Sequence, residues 1–185
     1  MIVIGVDEAG RGPLVGSVVA GAVILPDGFY LPELTDSKKL SEKKRQVLFQ
    51  QITQSCQWAV GEVDANTIDK INILQATLLA MKKAVENLNT TYDRVLVDGN
   101  QSPDVKNCTT IIKGDLTEPC ISAASIVAKV TRDRQMIELD KRYPEYGFAK
   151  HKGYGTKAHL QALEQYGAIS GEHRYSFKPI KRFLN

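Results

Sequence analysis

Ile2-Val3-Ile4-Gly5-Val6-Asp7-Glu8-Ala9-Gly10-Arg11-Gly12 is an apolar run that ends in two adjacent carboxylates and a glycine-rich turn. The run predicts a buried strand. Asp and Glu are depleted from strands, and neither is needed for a turn. Two adjacent carboxylates at the end of such a strand are costly to leave unpaired, because burial disfavours the ionised form. The glycines beside them let a backbone approach a ligand closely, and Arg11 supplies a planar donor fork suited to phosphate. A metal ion held against a nucleic-acid backbone fits these features together. Neighbouring strand residues point to opposite faces, so both acids are expected to bind metal only if Glu8 already lies in the turn.

Outward from this stretch, residues 15–25 are rich in Val and Ala and predict a second strand. With residues 2–7 it should form an antiparallel hairpin joined by a tight turn at Gly10, Gly12 and Pro13. Ser41 can cap a helix running to Gln54, with Glu42 at its positive end and Val47, Leu48 and Ile52 as its apolar stripe. Residues 58–63 predict a third strand. Ile73 to Leu88 reads as a helix with Leu74, Leu78, Met81, Ala84, Val85 and Leu88 at helical spacing. Short strands follow at residues 94–97, ending at Asp98-Gly99, and at residues 109–112, ending at Lys113-Gly114-Asp115. Pro119 suits the start of a long helix over residues 120–139. Its small residues Ser122, Ala123, Ala124 and Ser125 allow close packing on a sheet. A final helix is expected from Thr156 to Tyr166, stopped by Gly167. Strands first, then strands alternating with helices, predict an α/β domain with a mixed sheet.

Bulk composition excludes several classes. The 185 residues are 43% hydrophobic and 24% charged, a globular rather than a disordered balance. Three widely spaced cysteines without a Cys-x-x-Cys pair argue against a disulfide framework or a structural zinc, and they fit a reducing cytosol. The N-terminal apolar run is too short for a signal peptide or membrane span, so a soluble cytoplasmic protein is expected. The net charge of +3 permits a nucleic-acid partner without requiring one. Its basic residues gather at Lys38, Lys39, Lys43, Lys44 and Arg45, and again at Arg174, Lys178, Lys181 and Arg182. Either cluster alone reads equally well as a solvated face.

Three predicted strands end in acids: Asp7-Glu8, Asp98 and Asp115. Carboxylates from separate strand ends can converge, and oxygen ligands without Cys or His favour Mg²⁺ or Mn²⁺ over zinc. Asp98-Gly99 and Gly114-Asp115 are also ordinary turn signals, so each taken singly is more readily structural than functional. Tyr154 alone reads as an ordinary half-buried tyrosine.

Asp7-Glu-Ala-Gly-Arg-Gly-Pro-Leu14, Asp36-Ser-Lys-Lys-Leu40, Asp98-Gly99, Lys113-Gly-Asp115, Ser122-Ala-Ala-Ser-Ile-Val-Ala-Lys-Val-Thr-Arg-Asp133 and His151-Lys-Gly-Tyr-Gly-Thr156 occur in one order. That order resembles type 2 ribonuclease H (ribonuclease HII) across nearly the whole chain. The resemblance implies a ribonuclease H-like α/β fold, with a mixed central sheet flanked by helices and a short helical C-terminal extension. Residues 1–185 would then form one catalytic domain, expected to act as a monomer. The implied activity is endonucleolytic cleavage of the RNA strand of RNA–DNA hybrids, and 5′ of single ribonucleotides in duplex DNA. Cleavage would leave 3′-hydroxyl and 5′-phosphate ends and would serve ribonucleotide removal, replication and repair. By the same resemblance, Asp7, Glu8, Asp98 and Asp115 are the catalytic carboxylates that hold Mn²⁺ or Mg²⁺. Gly10-Arg11-Gly12 takes the place of the loop that senses a ribose 2′-hydroxyl, and Tyr154 that of the tyrosine completing the sensor. The related ribonuclease HIII usually has lysine where Arg11 stands and carries an extra N-terminal domain, so type 2 is favoured.

Ser37, Lys38 and Lys39 are expected to contact phosphates. Lys129 and Arg132 are read either as phosphate contacts or as ion-pair partners. Asp133 should pair with Arg132 or Lys129 on a helix surface, and the three histidines should pack or contact phosphate. Arg174 and the tail lysines should extend an electrostatic track along the duplex. Phe183-Leu184 is expected to be a fraying terminus.

Overall fold

The computed structural model describes residues 1–184, apart from the side chains of residues 35–38. Five strands form one sheet in the order β3-β2-β1-β4-β5. They are β1 (Val3–Ala9), β2 (Val18–Ile24), β3 (Gln57–Val63), β4 (Arg94–Asp98) and β5 (Cys108–Ile111). β1 pairs antiparallel with β2, and β2 with β3, while β4 lies parallel to both β1 and β5. The expected mixed α/β sheet is therefore present. The expected tight turn between β1 and β2 is not, because residues 10–17 form a longer connection. That segment pairs with other parts of the chain, so it needs no short hairpin turn: Leu14 N–H donates to Gly153 O at 2.9 Å, and Gly16 N–H to Glu172 O at 2.7 Å.

Helices cover both faces of the sheet. On one side α3 (Ile73–Asn87) buries Ala76, Ala80, Met81, Ala84 and Val85 against Ile4, Val6 and Ala20. On the other side α5 (Pro119–Arg142) and α1 (Glu42–Ser55) pack together around Val23. Ser41 caps α1 as expected, its hydroxyl accepting from Lys44 N–H at 3.2 Å. The apolar stripe of α1 is Leu48, Phe49 and Ile52, whereas Val47 is half exposed. The side chains that reach the core are set by how α1 lies on α5, which helical spacing alone does not specify.

The small residues at the start of α5 do what their size suggests. A Cβ on Gly5 would lie 2.2 Å from the Cys120 carbonyl carbon, and one on Gly21 would lie 2.5 Å from Ala124 O. Strand and helix backbones thus touch at these two glycines. Sequence reading missed α2 (Ala65–Ile71), a short helix capped by Asp64, whose carboxylate accepts from Thr67 N–H at 2.9 Å. Between β5 and α5 stands α4 (Gly114–Thr117), against which the 3-10 helix Pro32–Lys39 packs.

After α5 come α6 (Phe148–His151) and α7 (Lys157–Tyr166), the latter capped by Thr156 and ended by Gly167. The chain does not finish there. The short α8 (Lys178–Lys181) buries Ile180 against Leu14 and Leu163, with Phe183 packed on the same cluster. Phe183 is therefore docked and does not fray. No helix among the described residues is long and apolar enough to cross a membrane.

Candidate active site

Asp7 and Glu8 lie within β1, where Asp7 pairs with Gly21 and Glu8 with Ala20. Glu8 is therefore not in the turn, contrary to expectation. The pleat puts Gly5 against α5 and Ile4 and Val6 against α3, so Asp7 belongs to the α5 side and Glu8 to the α3 side. Pairing between β1 and β4 stops at Val6↔Val97. Beyond that point the rim between the two strands is open, and side chains from both faces can meet at it. Asp98, the last residue of β4, stands at the same rim. One carboxylate oxygen each from Asp7, Glu8 and Asp98 lies within 4.8 Å of the other two. Such spacing suits shared ligation of a hard cation with bonds of about 2.0–2.6 Å.

Asp115 reaches the site differently from the strand end that was expected. It sits in the first turn of α4, 5% exposed, and its backbone N–H donates to Asp98 Oδ1 at 3.1 Å. Ser122 of α5 fixes α4 in turn, its hydroxyl donating to Asp115 O at 2.5 Å.

The electrostatics of the acids are unfavourable by themselves. Burial, then the neighbouring Glu8 and Asp98, hold the Asp7 carboxyl well above the usual aspartate range. Asp98 is raised as well, by burial first and then by the charges of Asp115 and Glu8. Glu8 Oε2 is buried and, among the described residues, meets no hydrogen-bond donor. A buried acceptor without a donor, among crowded carboxylates, fits a divalent cation held by oxygen ligands.

Beside the acids, the connection from β1 to β2 is held from behind by two arginines. Arg174 is fully buried. Its Nε donates to Gly16 O at 3.0 Å, Nη1 to Arg11 O at 3.0 Å and Pro13 O at 2.8 Å, and Nη2 to Gly10 O at 2.6 Å. Arg132, 3% exposed, donates to Ser17 O at 2.8 Å, Val15 O at 3.0 Å and Lys152 O at 3.1 Å. Burial lowers both guanidinium pKa values, to about 10 for Arg132 and about 9 for Arg174. Gly10 has φ +87°, and a Cβ there would fall 2.3 Å from Arg132 Cδ. Gly12 faces Tyr154, whose Cε1 would be 3.4 Å from a Cβ at that position, and the tyrosine itself is 49% exposed. The Arg11 guanidinium lies 3.9 Å from Glu8 Oε1. Gly10, Arg11, Gly12, Tyr154 and the acids thus share one region of the surface.

Other expectations need correction. Arg174 and Arg132 are buried behind the loop, so neither offers its guanidinium to an external phosphate. Asp133 is buried and pairs with Arg45 at 3.9 Å, a contact between α5 and α1. Among the described residues its ion-pair contact is with Arg45 rather than with Arg132 or Lys129, although its charge still acts on Arg132, and Lys129 is exposed. Lys39 is exposed at the end of the 3-10 helix, while the side chains of Ser37 and Lys38 lie outside the described residues.

The histidines pack as a chain with defined tautomers. Ile169 N–H donates to His173 Nδ1 at 2.9 Å, so His173 Nε2 carries the proton given to His159 Nε2 at 3.0 Å. His159 Nδ1 then donates to Tyr154 O at 2.9 Å. Burial pushes His159 down to about 4 and His173 down to about 3, in keeping with neutral rings.

A recess of about 170 Å³ opens at the acids, lined by Glu8, Arg11, Asp98, Asn100, Gln101 and Leu78 among others. Asn100 and Gln101 were missed by sequence reading; their only signal is that they follow Asp98-Gly99. A larger groove of about 730 Å³ lies near Tyr92 and Lys106, away from the carboxylates. The acids lie at a small recess, with Asp7 and Asp115 themselves almost fully buried.

Residues 4–180 match the family described as ribonuclease HII. A ribonuclease HII of Aliivibrio fischeri is 58% identical over 182 residues, covering 97% of this chain and 87% of that protein. The ribonuclease H2 of Pyrococcus horikoshii has a TM-score of 0.81 at 27% identity, over 99% of this chain and 97% of that one. In the PCNA:RNase HII complex from Archaeoglobus fulgidus, the matching chain gives a TM-score of 0.81 at 27% identity over 96% of each chain.

Proposed function

The chain belongs to the ribonuclease HII family, and on that premise we propose that it cleaves the RNA strand of RNA–DNA hybrids and cuts 5′ of single ribonucleotides in duplex DNA. The observation that carries this reading is the convergence of Asp7, Glu8 and Asp98 at the open rim of β1 and β4, next to the loop that faces Tyr154. Asp7, Glu8, Asp98 and Asp115 hold the cations. Mn²⁺ or Mg²⁺ held there, in the two-ion arrangement we favour, would supply Lewis-acid activation of a water and charge neutralisation at a leaving 3′ oxygen. The chain's own residues select the sugar. Backbone groups of Gly10-Arg11-Gly12 meet the 2′-hydroxyl, the group that separates RNA from DNA. The half-exposed Tyr154, beside Gly12, offers its hydroxyl to the same ribose and its ring for stacking on the sugar. Lys39, on the segment packed against α4, contacts a phosphate, and Ser37 and Lys38 are assigned the same role from their place in the motif. The products are 3′-hydroxyl and 5′-phosphate ends. The protein acts as a monomeric single domain in ribonucleotide removal during replication and repair, in the cytoplasm.

A test uses an end-labelled DNA duplex with one ribonucleotide, and an all-DNA duplex of the same sequence, in Mn²⁺, in Mg²⁺ and in EDTA. The expected result is one cut 5′ of the ribonucleotide, dependent on metal, with the all-DNA duplex intact. Equal cutting of both duplexes overturns the reading in favour of a DNA nuclease of the same fold.

A further inference from the structure

Arg174 stands out as a buried cation satisfied by main-chain carbonyls. A buried guanidinium is costly unless its donors are met, and here Gly10, Arg11, Pro13 and Gly16 supply four acceptors within 3.0 Å. Two of those carbonyls belong to the Gly10-Arg11-Gly12 tripeptide. In a trans peptide the C=O and the following N–H point in opposite directions, and the described residues have no cis peptide bonds. With the Gly10 and Arg11 carbonyls aimed at the buried guanidinium, the Arg11 and Gly12 N–H groups must point away from it. Arg11 and Gly12 are exposed, and among the described residues neither N–H has a protein acceptor. The loop therefore presents two adjacent free donors outward, next to Tyr154 and Glu8.

Arg174 is itself held by what surrounds it. Its own N–H donates to Leu14 O at 2.9 Å, and the Asp69 carboxylate accepts from Tyr175 N–H at 3.0 Å and Ser176 N–H at 2.8 Å. The guanidinium carbon also lies 5.1 Å from the Phe177 ring centroid. The fork is thus fixed before any ligand arrives, which is the condition for pre-organised recognition.

We propose that Arg174 is a positioning residue for sugar discrimination: by drawing the Gly10 and Arg11 carbonyls inward, it aims the Arg11 and Gly12 amides at the oxygen of a ribose 2′-hydroxyl. This rests on the sensor reading of the tripeptide given above. Lysine at this position keeps the charge but replaces a planar fork of donors with one point donor. It cannot hold carbonyls on both sides of the turn at once.

The test is competition binding between a duplex with one ribonucleotide and its all-DNA counterpart, in Ca²⁺, with strand integrity checked on a gel. A ratio from competition does not depend on how much of a variant is folded. Wild type should prefer the ribonucleotide duplex by about tenfold or more, the scale of one or two hydrogen bonds. Arg174→Lys and Arg174→Gln should bring that ratio to within about twofold of unity while all-DNA affinity stays near wild type. A variant ratio equal to wild type overturns the proposal, whatever the loss of thermal stability. So does loss of binding to both duplexes alike, because a clamp on the tripeptide leaves electrostatic binding to the backbone in place. Tyr154→Ala separates the two layers of the argument. If it abolishes discrimination while Arg174→Lys does not, the sensor stands and only the clamp fails. If wild type itself shows no preference, the sensor reading fails and takes the clamp with it.

Discussion

Asp7 concentrates the conflict between stability and chemistry in one side chain. Its folded pKa lies above the ordinary aspartate value, because burial and then Glu8 and Asp98 oppose ionisation. The folded metal-free protein therefore binds that proton more tightly than the unfolded chain does. The stabilisation is present at low pH and is lost as pH rises through the raised value. A divalent cation competes for the same oxygens and reverses the penalty. Asp7→Asn should accordingly raise the melting temperature of the metal-free protein near neutral pH by about 2–8 °C, the equivalent of about 1–2 kcal/mol. It should also remove most of the further rise that Mn²⁺ gives to wild type. Calorimetry with and without Mn²⁺ checks this, and a variant less stable than wild type in EDTA contradicts it. At this scale the acids were legible, since Asp and Glu at the end of an apolar run have few innocent explanations. Arg174 was not: an arginine beside lysines reads as surface charge, and only the fold shows it fully buried on four carbonyls.

Elements explain how Asp7 and Glu8 come together although the pleat separates them. The expectation that Glu8 must leave the strand took side chains on opposite faces to be kept apart, whereas β1 loses β4 after Val6 and keeps only β2, so both faces open onto one rim. Strand identity was legible from apolar runs, but register between distant strands was not. Likewise α2 was missed because it is a single short helix, Ala65–Ile71, with too few turns to show a period. The His173–His159–Tyr154 chain links α7 and the residues after it to the tyrosine's backbone. Its rings have folded pKa values of about 4 and about 3, below the ordinary 6.5. The unfolded chain thus gains protons first on acidification. The stability these rings contribute is present above pH 6.5 and lost as pH falls from there toward 4. The gap in stability between wild type and His159→Gln should therefore narrow by about 2 kcal/mol between pH 7 and pH 5. Urea unfolding at the two pH values measures it, and a constant gap contradicts the neutral chain.

The whole molecule is a sheet whose open rim gathers acids from β1, β4 and α4, while a C-terminal extension reaches back to brace the β1–β2 connection. Ile180 of α8 closes over Leu14, and residues 172–174 pair with residues 14–16. The extension is thus part of the site's support, a role its basic composition concealed. The central claim is that the convergent carboxylates hold the cations that make cleavage possible. Its most direct test is Asp98→Asn, with single-turnover cleavage of a duplex carrying one ribonucleotide measured in saturating Mn²⁺ alongside duplex binding. Cleavage should fall by about 10³-fold or more, as expected when a metal ligand is lost, with duplex affinity within about threefold of wild type. Cleavage by Asp98→Asn at the wild-type rate would contradict the account.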